Sequence, residues 1–182
     1  MSNTRRTAVT AAIASGALVL ASSALVQFLA RWEGRENTAY ADRLAGGVPT
    51  VCAGLTNATS PIAIAPGDYW STQACIDIER LIVSGTQLKL ADCLTASVPQ
   101  PVFDALSSHA HNFGVASTCA SRAVGLINTG RLREGCEAIA HSASGEPVWS
   151  YVTQNGRKQF VRGLYNRRLA ERDLCLQGVK EG

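Results

Sequence analysis

An uncharged segment near the N-terminus constrains this chain more than any other feature. Thr7 to Ala30 carries no charged side chain over 24 residues and follows two arginines, Arg5 and Arg6. A helix of that length rises about 1.5 Å per residue and can span roughly 30 Å of hydrocarbon. Because a basic flank stays on the cytoplasmic side, the rest of the chain is predicted to be exported.

The same segment is only weakly apolar. Eight of its residues are alanine, and serine, threonine and glycine dilute it further. Since these residues gain little on transfer into lipid, insertion should be marginal. Three interpretations stay open: a cleaved signal peptide with a site at Ser22-Ser23-Ala24, a permanent anchor, and an anchor that later leaves the membrane. We favour an uncleaved, weakly held anchor.

The remaining chain is long enough for one domain. With 182 residues and an apolar fraction of 46%, it can bury a core and does not have the composition of a disordered protein. From Ser121 onward ten Lys or Arg oppose six Asp or Glu. This excess of positive charge favours binding to an anionic polymer or surface, and is equally typical of a solvated helix face. No basic block with interleaved aromatics occurs, so we expect no nucleic-acid partner.

Six cysteines all follow the uncharged segment, which predicts up to three disulfides in an oxidising compartment. They are Cys52, Cys75, Cys93, Cys119, Cys136 and Cys175. Among 15 possible pairings we favour Cys119–Cys136, which would join two short neighbouring helices. The Cys and His spacings of a zinc site are absent from the sequence. We therefore interpret His109 and His111 as surface or groove residues and expect no metal ion.

The pattern along the chain predicts an α+β fold with a small N-terminal β-hairpin lobe and a larger C-terminal helical lobe. Tyr40 to Thr56 is rich in glycine and β-branched residues, which indicates short strands and turns. Asn155-Gly156 indicates another turn. Apolar spacing and capping residues predict helices over about 71–94, 102–114, 118–128, 131–140 and 161–176.

Two carboxylic acids follow the uncharged segment closely. Glu33 comes directly after Trp32, and we expect apolar neighbours to raise the pKa of Glu33 and keep it protonated. Asp42 lies in a turn-rich, more polar stretch, where it would stay ionised. Thr50 follows on a predicted strand, where its hydroxyl can orient a water. A protonated acid and a carboxylate are the groups that hydrolysis of a glycosidic bond requires.

These residues resemble a known family, the phage-type lysozymes. Eight residues separate Glu33 from Asp42, and Thr50 stands in a Thr-Val-Cys-x-Gly-x-Thr context. Three later segments agree with the family in order and spacing: Phe-Asp-Ala-Leu at 103–106, Ala-His-Asn-Phe-Gly at 110–114 and Gly-Leu-Tyr-Asn-Arg-Arg at 163–168. The resemblance covers nearly all of 30–176. With the uncharged leader, the chain resembles the signal-arrest-release endolysins, which are exported inactive on their own anchor.

The resemblance implies a lysozyme-like fold and specific roles. Glu33 would be the acid, Asp42 the base or electrostatic partner, and Thr50 the residue that positions water, with inversion. Residues 1–30 would form a signal-anchor and 31–182 a catalytic domain that hydrolyses the β-1,4 bond between N-acetylmuramic acid and N-acetylglucosamine. Since only two residues, Arg31 and Trp32, separate Glu33 from the anchor, our hypothesis is that release from the membrane switches the enzyme on.

Partners and location follow from the same resemblance. The partners would be peptidoglycan glycan strands, the host inner membrane through residues 7–30 before release, and a holin or pinholin. The protein would act on the periplasmic side of the inner membrane and then in the periplasm. We expect a monomer that needs no cofactor.

The chain departs from the family pattern at two positions. Seven residues separate Asp42 from Thr50 where the family has five. We place the two extra residues in the hairpin turn near Gly46-Gly47. Leu55 stands where the family often has a histidine, and we expect this change to remove a structural contact rather than a catalytic group.

Several alternatives stay open. Glu36 is an alternative acid, Glu33 could be a charge at a helix N-terminus, and Asp42 and Thr50 could be ordinary turn and strand residues. Asn112 could face a substrate groove or cap a helix next to Gly114. At the level of function, the alternatives are a lytic transglycosylase and a non-catalytic exported protein that binds the cell wall.

The last predicted helix carries closely spaced charges of both signs. Arg167, Arg168 and Glu171 have the spacing of ion pairs along one helix. We interpret these three residues as structural rather than catalytic.

Overall fold

The computed structural model describes residues 7–43 and 46–179. The chain divides into two compact units. The sheet unit comprises Ala21–Gly85, and the helical unit combines the chain up to Leu20 with the chain from Thr86 onward. In chain order the elements are α1 (Ala8–Ala14), α2 (Ser23–Glu33), β1 (Glu36–Asp42), β2 (Val48–Cys52), β3 (Leu55–Thr56), α3 (Thr72–Ala91), α4 (Gln100–Phe113), α5 (Val115–Cys119), α6 (Arg122–Asn128), α7 (Leu132–Glu137), β4 (Tyr151–Gln154), β5 (Arg157–Phe160) and α8 (Arg162–Gln177).

A three-stranded antiparallel sheet of order β1-β2-β3 forms the centre of the sheet unit. Its inner face packs a small core that contains Val51, Leu55 and Ile64 together with Trp70. Leu55, at the family's histidine position, is buried in this core and pairs with Val51 across the strands. The departure at Leu55 therefore places an apolar side chain in an apolar environment.

The helical unit buries a larger core around α4, whose residues Val102 to Ala110 are all buried. Two disulfides staple this unit, Cys93–Cys119 and Cys136–Cys175, with Cα atoms 5.8 Å and 5.4 Å apart. The predicted pair Cys119–Cys136 is therefore wrong. Each of these cysteines pairs instead with one on a more distant element, since a disulfide requires close Cα atoms and proximity in sequence does not provide them.

The uncharged segment forms two separate helices rather than one. Thr7 caps α1, Gly16 adopts a left-handed φ of 76°, and Ser22 caps α2. In α1, Val9 is fully buried in the core of the helical unit, and Leu25 of α2 is fully buried in the sheet unit. Within the described residues, no helix has both the length and the apolarity needed to cross a membrane.

The other predicted helices are confirmed with adjusted ends. The segment predicted as one helix over 118–128 contains two, α5 and α6, because the Ser121 hydroxyl accepts a hydrogen bond from the Val124 amide and starts a new helix. Asn155-Gly156 is a turn, as predicted, and it joins β4 to β5. At the first hairpin, β1 ends at Asp42 and Gly46-Gly47 lead into β2, while Leu44 and Ala45 lie outside the described residues.

Candidate active site

Glu33 is the last residue of α2. Gly34 ends the helix with a φ of 64°, a left-handed conformation that favours glycine. The Glu33 side chain, which is half-buried, thus lies at the C-terminal, negative end of the helix dipole. The alternative of a helix N-terminal charge is wrong, because Glu33 lies at the opposite end of α2.

Asp42 and Thr50 share one face of the β1–β2 hairpin. Tyr40 pairs with Thr50 and Asp42 pairs with Val48 in antiparallel register. Residues that pair directly point to the same face, and so do residues two apart along a strand. The longer turn has therefore not moved Asp42 to the opposite side of the sheet from Thr50.

The hydroxyl of Thr50 is held in one orientation. Thr50 is 4% exposed, and its Oγ1 donates a hydrogen bond of 3.0 Å to the Val48 carbonyl. Because the hydroxyl hydrogen is engaged in that bond, its lone pairs are left to accept a hydrogen bond from a water. The role of Thr50 in positioning a water stays a prediction.

Helix α3 supports both ends of this arrangement from within the sheet unit. Arg35, two residues after Glu33, forms an ion pair of 2.9 Å with Glu79. Cys52, two residues after Thr50, forms a disulfide with Cys75. Because both attachments lie on the same helix, the end of α2 and the end of β2 are held to a common element.

Two further residues beyond the predicted ones lie on the hairpin face. Tyr40 pairs directly with Thr50 and is 43% exposed, and Thr56 of β3 pairs with Thr50 from the other side. Strand alternation was the signal that identifies them, because Tyr40 is two residues before Asp42. Glu36, the alternative acid, lies at the start of β1 and is exposed.

A buried ionic cluster lies in the helical unit. Glu171 accepts hydrogen bonds of 2.7 Å from Ser108 and from Arg168, while Arg168 also donates to Asn112. Arg167 completes the cluster at 3.4 Å from Glu171. The structural interpretation of these charges is confirmed. Asn112 acts as an acceptor for Arg168, and Gly114 provides the C-cap of α4.

His109 lies beside this cluster and is not a surface residue. It is 2% exposed, bonds to Thr118 at 2.8 Å and packs against Phe113 and Trp149. Burial, followed by the charges of Arg168 and its neighbour, lowers the pKa of His109 to about 3. The expected surface or groove position of His109 is wrong because every residue of α4 from Val102 to Ala110 is buried, polar side chains included. Among the described residues, no three metal-ligating side chains cluster together.

Comparison with known proteins decides the family. The phage lysozyme family pattern matches residues 30–171. The chain belongs to the phage lysozyme family. It is accordingly a glycoside hydrolase with a lysozyme-like α+β fold. The non-catalytic alternative is thereby set aside.

Relatives and solved structures agree with this lysozyme assignment. The chain is 32% identical over 157 residues to the SAR-endolysin of Pseudomonas phage phiKMV, covering 86% of this lysozyme and 89% of the relative. It is 29% identical to the SAR-endolysin of Bacteriophage PS119, with 98% of each covered. The endolysin of Escherichia coli O157:H7 phage FAHEc1 matches with a TM-score of 0.71 and 25% identity, covering 88% of this chain and 96% of that one.

Proposed function

We propose that this lysozyme is a muramidase that hydrolyses the β-1,4 bond between N-acetylmuramic acid and N-acetylglucosamine in peptidoglycan. The observation that carries the proposal is the common face of Asp42 and Thr50, directly after a helix that ends at Glu33. Glu33 protonates the leaving oxygen, Asp42 acts as base or electrostatic partner, and Thr50 holds the attacking water.

We further infer that residues 1–30 serve as a signal-anchor and that the described fold is the released form. Support comes from the relatives, which are SAR-endolysins, and from the position of the uncharged segment. Val9 and Leu25, both in that segment, are fully buried in the two units. While the segment lies in lipid, these side chains are withdrawn from both cores. Glu33, at the end of α2, is then not positioned by the sheet unit.

Location and partners follow from this inference. The enzyme is held on the periplasmic side of the host inner membrane through residues 7–30 and then acts in the periplasm. The family implies a holin or pinholin as a functional partner in lysis. Peptidoglycan strands are the substrate.

A matched pair of variants tests the catalytic assignment. Purified Glu33→Gln should release soluble muropeptides from murein about 10²–10⁴ times more slowly, the range for loss of a general acid. Glu36→Gln, in the same segment and exposed, should retain activity. Both variants should fold normally by circular dichroism. If Glu33→Gln cleaves at the normal rate, the assignment of Glu33 is wrong.

The products separate hydrolysis from the lytic transglycosylase alternative. A muramidase leaves reducing ends, whereas a transglycosylase leaves anhydro sugars because no water attacks. Mass spectrometry of the muropeptides distinguishes them by the mass of one water. Thr50→Val supplies a second test, since a mechanism that needs a positioned water should slow with it while an anhydro-forming mechanism should not.

A further inference from the structure

The residues of the β4–β5 hairpin do not belong to the core of the helical unit. Its strands pair only with each other among the described residues, and 151–160 are all exposed. Asn155 and Gly156 have φ values of 50° and 73°, which makes a tight two-residue turn. An isolated two-stranded hairpin is marginally stable in water. These side chains are therefore explained by a role on the protein surface and not by burial in a core.

One face of the hairpin carries aromatic rings. Tyr151 pairs with Phe160, with ring centroids 5.6 Å apart, and they are 41% and 39% exposed. Phe160 in turn contacts Tyr165, with ring centroids at 5.7 Å. Tyr165 is tied to the body of the unit by a 3.1 Å hydrogen bond with His141. The row of rings is thus supported at one end and open to solvent at the other.

The same region is positively charged without compensation in the sequence. Lys158 lies on the aromatic face by strand alternation, Arg157 lies on the opposite face beside the turn, and the Arg162 guanidinium lies 5.8 Å from the Phe160 ring. Between Glu146 and Glu171 the sequence contains no acidic residue. In the described part of the chain, no carboxylate forms an ion pair with these three cations.

We propose that this hairpin surface, Tyr151, Phe160, Lys158 and Arg162, is a second binding site for peptidoglycan outside the catalytic residues. Exposed aromatic rings stack on the C–H faces of sugar rings, and arginine and lysine bind carboxylates. Peptidoglycan offers both groups, since its glycan strand bears stem peptides with free carboxylates. The site holds the enzyme on the insoluble polymer, and it rests on the proposed function for the identity of that polymer.

The test measures binding separately from turnover. Every protein carries Glu33→Gln so that the strands stay intact, and binding is measured by sedimentation with purified murein. Lys158→Gln/Arg162→Gln should weaken binding about tenfold, the sum expected for two exposed ion pairs. Tyr151→Ala/Phe160→Ala should weaken it by at least as much, since exposed aromatic anchors dominate such interfaces. Phe160→Tyr keeps a ring and should bind like the parent.

The control variant lowers the net charge by the same amount at another part of the surface. Lys89→Gln/Arg133→Gln removes two exposed cations from α3 and α7 and should leave binding unchanged. Equal binding by the parent and the Lys158/Arg162 variant overturns the proposal, as does an equal loss in the control. If the aromatic double variant does not fold, the charge variant decides alone, because both of its side chains are exposed.

A second binding measurement, with lipid vesicles, tests the other candidate partner, an anionic membrane. Sedimentation with phosphatidylglycerol vesicles tests whether the hairpin binds an anionic membrane. Loss of vesicle binding with unchanged murein binding would overturn the proposal in favour of a lipid surface. Failure of the proposed function appears separately, as absence of muropeptides from the chain that retains Glu33.

Discussion

Truncation of Val9 tests whether the uncharged segment is part of the folded enzyme. Val9 is fully buried in the core of the helical unit, although it lies only two residues into the segment Thr7–Ala30. Val19, in the same segment, is 56% exposed. Val9→Ala and Val19→Ala make the same chemical change, so they lower the apolarity of the segment by the same amount.

The expected difference follows from burial. Val9→Ala removes two methyl groups from the core, at about 0.8 kcal/mol for each carbon. A cavity contribution brings the loss in free energy of unfolding to about 2 kcal/mol. For a chain of this size, each kcal/mol lowers Tm by about 2–4 °C, which predicts a fall of about 4–8 °C. Val19→Ala should change the free energy by less than about 0.5 kcal/mol.

The assay is thermal unfolding of the purified protein followed by circular dichroism. Mass spectrometry of each sample first checks that the N-terminus is intact, because a cleaved chain would lack both positions. Membrane retention before release, measured by fractionation, should be equal for the two variants. If Tm falls equally in both, or in neither, the segment does not pack as the structure places it and the signal-arrest-release proposal loses its support.

Two further predictions concern single positions. Gly16→Ala should lower Tm, because the left-handed φ of 76° costs a residue with a Cβ about 1–2 kcal/mol although the added atom meets no neighbour; Gly125→Ala, on an exposed helical position, should raise it. The pKa of about 3 for His109 lies below its unfolded value. Folding stability from this group is therefore present above about pH 6.5 and falls as the pH drops toward 3, with about 2 kcal/mol lost at pH 5. His109→Gln should show a smaller fall in Tm between pH 7 and pH 5.

The candidate site was predictable because it depends on local spacing. Glu33, Asp42 and Thr50 lie within 18 residues of each other, where one helix end and one hairpin determine their order. Support from α3 was not predictable, since the Arg35–Glu79 ion pair joins residues 44 apart. No local pattern distinguishes an arginine with a distant partner from a solvated one.

Two further features could not be predicted from local sequence patterns: the disulfide pairing and the β4–β5 hairpin. Cys136 pairs with Cys175 over 39 residues because α7 packs on α8, which is a property of the tertiary structure. For the hairpin, Asn155-Gly156 marks the turn, but exposure on both faces removes the apolar alternation that identifies strands. The disulfide pairing depends on tertiary packing, and the hairpin lacks the packing that produces apolar alternation. Neither feature could therefore be predicted from the periodicity of the sequence.

Under the proposed function, the polar residues of the uncharged segment explain how a weak anchor and a stable enzyme can share one sequence. In the folded enzyme, Thr7 caps α1 and donates a hydrogen bond of 2.8 Å to the Ala91 carbonyl, and Ser22 caps α2. Gly16 lies between the two helices with its left-handed φ. Under the proposed function, these same residues weaken the hold of the bilayer on the segment. Each substitution that strengthens the anchor at these positions therefore also removes a cap or a turn from the released form, so the two states cannot be adjusted independently.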